Sequence, residues 1–161
     1  YILTAMAHGR NYAEVLAEAQ AQGYAEADPT ADVEGYDVVA KTLILSSLVF
    51  GRSLKPEQVK RQGITTITKE QVQHALDTGK RIKLIGSLQL VSDATDAILD
   101  ARVEPVALSL SDPLAQVDGV MNAITFQTDT LSEVTISGPG AGRLQTGQGL
   151  LADLLAIAKT M

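Results

Sequence analysis

Cysteine is absent from this chain of 161 residues, and other common sequence features are missing with it. Without cysteine there is neither a disulfide framework nor a metal site with thiolate ligands, which fits a reducing compartment. The longest apolar run, residues 43–50, contains two serines and is far too short to span a bilayer. No signal peptide is visible, so we expect a cytoplasmic protein.

Basic residues are also fewer than acidic residues in this chain. The net charge of −6 argues against nucleic acid or an anionic membrane as the main partner. Acidic residues interrupt the most basic stretch, 55–83, as expected of a solvated face. The only two histidines, His8 and His74, lie far apart without ligand spacing, so we predict no metal site and no serine–histidine–aspartate arrangement.

The composition is 45% hydrophobic and 20% charged, which indicates one globular domain with a core rather than a disordered chain. Helical patterns come first: one opens the chain, two more begin at capping boxes (Asn11 with Glu14, and Thr68 with Gln71), and the helices are predicted over 12–22, 33–50, 56–61, 69–78 and 146–159. Strands are predicted over 81–91, over 101–110 with a break or bend at Pro105, and as a hairpin over 120–128 and 132–137. This order predicts an α+β fold with a mixed or antiparallel sheet and helices packed on one face.

The predicted helix over 33–50 is apolar nearly all round, so we expect it to be the central buried helix, capped by Asp32. Asp37 and Lys41 are four residues apart and share one of its faces. Aliphatic residues continue that face at i+3, i+4 and i+7 from the lysine. A buried lysine is costly unless it is paired, so the pattern predicts a polar pocket that contains Lys41, Asp37 and the acidic residues upstream.

Each element of this pocket has a simpler interpretation that stays open. Lys41 and Asp37 form either a general acid/base pair or an exposed ion pair that contributes about 0.3–0.5 kcal/mol. Glu26, Asp28 and Asp32 either bind a cation or a substrate ammonium group, or only complement a helix dipole.

A glycine-rich segment, 138–142, follows a predicted strand and precedes a helix. Its spacing does not match a dinucleotide fingerprint, and the chain contains no P-loop motif. The segment is either a tight turn or a backbone that approaches a ligand closely.

Several motifs, in the same order along the chain, resemble those of homoserine dehydrogenases. They are Tyr1-Ile2-Leu3-Thr4, Glu18-Ala19-Gln20, Gly23-Tyr24-Ala25-Glu26-Ala27-Asp28-Pro29-Thr30, Gly35-Tyr36-Asp37 through Lys41, Phe50-Gly51, Gly63-Ile64, Ile67-Thr68, Lys83-Leu84, Asn122-Ala123-Ile124 and Gly138-Pro139-Gly140-Ala141-Gly142. The segment 145–149 departs from the Pro-Thr-Ala-Ser of many members, which leaves the branch of the family open.

The resemblance implies that residues 1–161 form the substrate-binding, catalytic and dimerisation domain of the enzyme. The family interconverts aspartate 4-semialdehyde and homoserine with NADPH or NADH, on the route to threonine, methionine and isoleucine. The chain begins in a helical pattern without an initiator methionine, so we expect it to be a piece of a longer protein. The resemblance implies that the nucleotide-binding domain lies upstream of it and that the fragment is inactive alone. The implied partners are the small-molecule substrate and a second copy of the chain.

The resemblance also implies roles for individual residues. Lys41 corresponds to the catalytic proton donor, and Asp37 to the acid that orients it and contacts substrate. Substrate contacts are further implied for Tyr24, Glu26 and Asp32, and cofactor contacts for Gly23, Glu26 and Gly140. Two alternatives remain open: a non-catalytic module for amino-acid binding or dimerisation, and another amino-acid oxidoreductase with the same domain architecture.

Overall fold

The computed structural model describes residues 1–91, 98–140 and 143–160. Two short 3₁₀ turns, Pro56–Gln58 and Pro113–Gln116, accompany the regular elements. These elements are, in chain order, α1 (Ile2–Ala7), α2 (Tyr12–Ala21), α3 (Thr30–Val33), α4 (Tyr36–Phe50), β1 (Val59–Arg61), α5 (Lys69–Asp77), β2 (Lys80–Val91), β3 (Ile98–Ser109), β4 (Met121–Thr128), β5 (Ser132–Pro139) and α6 (Arg143–Thr160). Within the described ranges, every helix is too short or too polar to cross a membrane.

Three strands form a mixed sheet in the order β1-β3-β2. The central strand β3 runs parallel to β1 and antiparallel to β2, with Lys80 opposite Ser109 and Val91 opposite Ile98. Of the predicted break or bend at Pro105, the break is wrong, because β3 continues through this residue. Proline is tolerated where a strand edge needs no N–H, and β1 accompanies β3 only as far as Val103.

The predicted hairpin is confirmed as a separate two-stranded sheet of β4 and β5. Its turn contains no glycine, and Ser132 adopts the left-handed conformation, with φ of 59°. Such a residue supplies the positive φ that a tight hairpin turn requires.

Two apolar clusters form the core on the helix-covered face of the mixed sheet. Val15 of α2 and Val72 of α5 belong to the first, against which Ile82 and Leu84 pack. Val39 of α4 belongs to the second, against which Leu84 packs as well. Since alternate residues of β2 contact both clusters, the helices pack on one face, and the predicted α+β class is confirmed.

The prediction of a single helix over 33–50 is wrong, because two helices, α3 and α4, occupy this part of the chain. Gly35 lies between them in the left-handed conformation, with φ of 78°, and starts α4. Asp32 therefore belongs to the first turn of α3 and does not cap α4.

The prediction that this helix is the buried centre of the fold is also wrong. Val39, Thr42 and Ser46 are the buried residues of α4, whereas Ile44 and Leu48 are exposed. The buried hydroxyls of Thr42 and Ser46 each donate to a helix carbonyl over 2.8 Å, and these hydrogen bonds offset the cost of burying them. A helix that is apolar all round does not reveal which face packs, and here the small polar face lies on the sheet.

The remaining helix predictions differ from the structure mainly at their ends. The helix predicted over 56–61 is only a 3₁₀ turn, after which the chain enters β1. The capping box of α5 is confirmed: Thr68 N donates to Gln71 Oε1 over 2.8 Å, and Gln71 N donates to Thr68 Oγ1 over 3.3 Å. Asn11 precedes α2 as predicted, but its side chain donates to Glu14 instead of capping a backbone N–H.

Candidate active site

Lys41 and Asp37 lie one turn apart on α4, and their side chains form an ion pair. Lys41 Nζ donates to Asp37 Oδ2 over 2.6 Å. The prediction that the two share a helix face is confirmed. Their predicted burial is wrong, since 52% of the Lys41 side chain and 49% of the Asp37 side chain are exposed. The reason is the orientation of α4, whose aliphatic stripe through Ile44 and Leu48 faces away from the sheet.

Lys41 lines a cavity of about 630 Å³ where α4, β2 and the β4–β5 hairpin meet. Thr42 of α4 and Gly86 of β2 also line this cavity, which we call the larger cavity because a smaller one adjoins it. Asn122 of β4 and Gly140 after β5 line the larger cavity as well. The Lys41 ammonium group thus lies beside a site that is large enough for a small molecule.

Gly140 is in close contact with Asn122 in this cavity. Its N–H donates to Val120 O over 2.9 Å, and a Cβ at this position would overlap the Asn122 carboxamide. A side chain at position 140 would therefore displace the Asn122 carboxamide from its place in the cavity. A Cβ on Gly138 would meet nothing within 4 Å. Ala141 and Gly142, the rest of the predicted glycine segment, lie outside the described residues.

A smaller cavity of about 300 Å³ adjoins the larger one. Asp32 of α3 lines this smaller cavity, together with Lys83 of β2 and the first turn of α1. The residues that line both cavities are Leu84, Ile85, Leu114, Asn122 and Ala123. Asp32 and Lys41 therefore lie in neighbouring cavities with a common wall.

The predicted single pocket that joins Lys41 to all the acidic residues is wrong. The Glu26 side chain is exposed and lines neither of these two cavities, although the Glu26 N–H donates to Asp32 Oδ2 over 3.4 Å. Asp28 accepts from Thr30 Oγ1 over 2.6 Å and from Thr30 N over 3.1 Å. The Thr30 hydroxyl and N–H lower the pKa of Asp28, which therefore stabilises the local turn.

Two further predicted residues lie near the acidic loop. The Tyr24 ring packs against the Tyr1 ring with a centroid separation of 5.3 Å, and it lines neither cavity. Gly23 ends the turn after α2 in the left-handed conformation, with φ of 74°, and a Cβ there would meet nothing within 4 Å. Its backbone is thus open to an approaching molecule.

Sequence reasoning missed Lys83 as a functional candidate. Its side chain is only 13% exposed, and its Nζ donates to Thr4 Oγ1 and to Asp118 Oδ1, each over 3.1 Å. Burial lowers the pKa of Lys83, and Asp118 offsets part of that effect. The alternation along β2 predicts only a polar position here. The Lys83-Leu84 motif was the one signal that pointed to the residue.

The described residues offer no cluster of three or more histidine or acidic side chains that could hold a metal ion. The polar groups that line the two cavities include ammonium and carboxylate side chains, glycine backbone and the Asn122 carboxamide.

Comparison with known proteins decides the family. The family model for homoserine dehydrogenase matches residues 1–155. The chain belongs to the homoserine dehydrogenase family. The NAD(+)-dependent homoserine dehydrogenase of Pseudomonas canavaninivorans is 42% identical over 157 residues, which cover 98% of this chain and 44% of that protein. The homoserine dehydrogenase of Mycobacterium bovis is 41% identical over 161 residues, which cover 99% of this chain and 36% of that protein.

Solved homoserine dehydrogenase structures share the fold. The S. aureus homoserine dehydrogenase at pH 7.5 aligns with a TM-score of 0.88 and 38% identity, covering 98% of this chain and 39% of that one. A hyperthermophilic archaeal homoserine dehydrogenase in complex with NADPH aligns with a TM-score of 0.76 and 28% identity, covering 100% of this chain and 44% of that one. The chain thus spans less than half the length of these relatives.

Proposed function

We propose that this chain is the substrate-binding and catalytic part of a homoserine dehydrogenase, which interconverts aspartate 4-semialdehyde and homoserine with NADH or NADPH. The observation that carries this proposal is the ion pair of Lys41 and Asp37, 2.6 Å apart, with Lys41 on the wall of the larger cavity. Membership of the family over residues 1–155 supports it.

Lys41 is the proton donor in the direction of reduction. When bound, the reduced nicotinamide cofactor supplies a hydride to the aldehyde carbon. The aldehyde oxygen then develops negative charge, which the Lys41 ammonium stabilises and neutralises by giving up a proton. Asp37 accepts a hydrogen bond from Nζ and so orients the ammonium group towards the oxygen. In the oxidation of homoserine, neutral Lys41 removes the hydroxyl proton.

Asp32, which lines the smaller cavity, and Glu26, whose exposed side chain lies outside it, hold the amino-acid end of the substrate. The Glu26 N–H donates to Asp32 Oδ2 over 3.4 Å, so the Glu26 backbone lies beside the Asp32 carboxylate. Their carboxylates bind the substrate ammonium group, with Tyr24 beside them. The substrate extends along the common wall of the cavities, with its reactive carbon towards Lys41. This placement uses binding at one end to fix the geometry at the other.

Two glycines leave backbone uncovered by side chains, and this backbone can contact the nicotinamide cofactor. Gly140 lines the larger cavity, and Gly23 lies in open space at the acidic loop. We assign these two residues, with Glu26, to cofactor contact. Most of the cofactor-binding surface belongs to a nucleotide-binding domain that precedes this chain. Residues 1–161 are accordingly inactive alone.

The assembly and setting follow from the same proposal. Exposed apolar residues of the hairpin, among them Leu131, Val134 and Ile136, form a surface through which two copies make a homodimer. The enzyme acts in the cytoplasm, on the route to threonine, methionine and isoleucine.

The test is the steady-state kinetics of Lys41→Ala in the longer protein that joins this chain to its nucleotide-binding domain. Loss of a general acid/base should lower kcat by about 10²- to 10⁴-fold. Lys69→Ala, which removes an exposed lysine of α5, is the matched control and should keep wild-type kcat. Wild-type turnover by Lys41→Ala would rule out the assigned role. Binding of homoserine without any turnover by the wild-type protein would instead indicate a non-catalytic module.

A further inference from the structure

Lys83 lies where three segments of the chain meet. It belongs to β2, and its Nζ donates to Thr4 Oγ1 of α1 over 3.1 Å. The same ammonium donates to Val117 O and, over 3.1 Å, to Asp118 Oδ1, in the segment that leads into β4. One part-buried cation thus joins α1, β2 and the 117–119 segment.

The hydrogen-bonding capacity of Lys83 is fully used by these contacts. An ammonium group has three N–H donors, and Thr4, Val117 and Asp118 accept all three. Binding a ligand or transferring a proton would break one of these bonds at a side chain that is only 13% exposed. Lys83 is therefore suited to hold the structure of the site rather than to contact substrate.

Asp118 is the common acceptor of this cluster. Arg81 Nη1 lies 3.1 Å from each of its carboxylate oxygens, and Thr4 Oγ1 donates to Oδ1 over 3.2 Å. Thr4 thus accepts from Lys83 while it donates to Asp118. A closed network of this kind fixes the relative positions of its members better than one isolated pair.

The network forms a wall of the smaller cavity. Thr4, Lys83, Val117 and Gly119 all line that cavity, and Asp32 lines it from α3. We propose that Lys83 is a positioning residue that, through Asp118 and Thr4, holds this wall opposite Asp32 in the arrangement that binds the amino-acid end of the substrate. The inference rests on the proposed function, because it takes the smaller cavity as the amino-acid site.

The pKa directions of the two partners agree with unequal burial. Burial raises the pKa of Asp118, but Lys83 and Arg81 outweigh that effect and leave it lowered. Burial lowers the pKa of Lys83, and Asp118 only partly reverses this. Taken alone, the lowered pKa of Asp118 indicates a favourable ion pair, whereas the lowered pKa of Lys83 indicates an unfavourable one. Since Asp118 is 46% exposed and Lys83 only 13%, the desolvation cost falls on the lysine, and the Asp118 direction reports the pairing.

The experiment compares the kinetics of Lys83→Met, Lys83→Arg and Lys80→Met in the longer protein with its nucleotide-binding domain. Lys80→Met is the matched control, because it removes an exposed lysine from the same strand. Lys83→Met should raise the KM for homoserine by about tenfold or more, with kcat and the KM for the nucleotide within about threefold of wild type. Lys83→Arg should restore most of the loss, since it keeps the positive charge and several donors.

A milder variant covers the case in which Lys83→Met does not fold. Thr4→Val removes one acceptor of the ammonium, leaves its ion pair with Asp118 intact and should raise the KM for homoserine alone. The inference is overturned if the folded Lys83 or Thr4 variants show the homoserine KM of Lys80→Met. It is also overturned if kcat and both KM values change together. Lys41→Ala, assayed in parallel, keeps the two proposals separate: an inactive Lys41→Ala beside a normal Lys83→Met overturns only the positioning role.

Discussion

The two lysines that line the cavities differ in environment, and the difference separates their roles. Lys83 is 13% exposed, with every N–H donor occupied by the protein. Lys41 is half exposed, and within the described part of the chain its Nζ donates to Asp37 alone. An ammonium with unused donors can turn to a substrate oxygen, whereas one that is fully bonded and buried stabilises what surrounds it. Burial alone would have selected Lys83 instead of Lys41, the lysine that we propose as the catalytic group.

The ion pair of Asp118 predicts a dependence of stability on pH. Its pKa lies below the ordinary 3.8, so folding favours the carboxylate. The resulting stability is present above the unfolded-state pKa and is lost as the pH falls through the lower folded-state pKa. The cations that face the carboxylate are the Lys83 ammonium and the Arg81 guanidinium, each 3.1 Å from a carboxylate oxygen.

Denaturant unfolding of wild type and Asp118→Asn at a series of pH values measures this contribution. The difference in unfolding free energy should be constant between about pH 5 and pH 7 and should shrink progressively below about pH 4. A difference that stays constant into the acid range would show that the charge of Asp118 contributes nothing.

At the scale of elements, the contact of α4 with β2 sets the position of the Lys41–Asp37 pair. A Cβ on Gly86 would lie 2.6 Å from Thr42 Oγ1 and 3.0 Å from Val38 Cγ1. The helix therefore lies as close to the strand as a glycine permits. Lys41 immediately precedes Thr42, so any change in this contact moves the ammonium group in the larger cavity.

Gly86→Ala should consequently separate α4 from β2. We expect a loss of about 1–3 kcal/mol in the unfolding free energy, typical of an extra methyl group in a tightly packed contact. Ser87→Ala, an exposed change at the next residue, should stay within about 0.5 kcal/mol of wild type. Equal stability of the two variants, measured by denaturant unfolding, would contradict the close contact.

Local sequence signals predicted the helices and strands well. The features that these signals did not predict depend on tertiary packing. The Thr68 capping box and the period-two alternation of β2 identify elements that the structure confirms. The division at Gly35 depends on a left-handed conformation that a glycine permits but does not demand. The exposed face of α4 and the burial of Lys83 arise from contacts with distant segments, which no local pattern contains.

The same distinction applies to the site. The spacing of Asp37 and Lys41 predicted their ion pair, because four residues make one helical turn. Nothing in the spacing predicted that Asp32 would face a second cavity, or that Asn122 would border both. These placements arise because β2 and β4 line the same two cavities, although the strands are about forty residues apart in the chain.

At the scale of the whole molecule, several large apolar side chains are exposed to solvent. Leu48 of α4 is 76% exposed, and Leu144 and Leu154 of α6 are likewise exposed. Surfaces of this kind on a folded chain indicate contact with further protein. A nucleotide-binding domain and a second copy of the chain, both part of the proposed function, would cover them.

The most direct test of the account is a crystal structure of the longer protein with homoserine and oxidised cofactor bound. We predict that Lys41 Nζ lies about 2.6–3.2 Å from the homoserine hydroxyl oxygen, as proton transfer requires. The homoserine ammonium should lie against the carboxylates of Asp32 and Glu26. Homoserine bound elsewhere, with the Lys41 ammonium still paired only with Asp37 and facing solvent, would contradict the central claim.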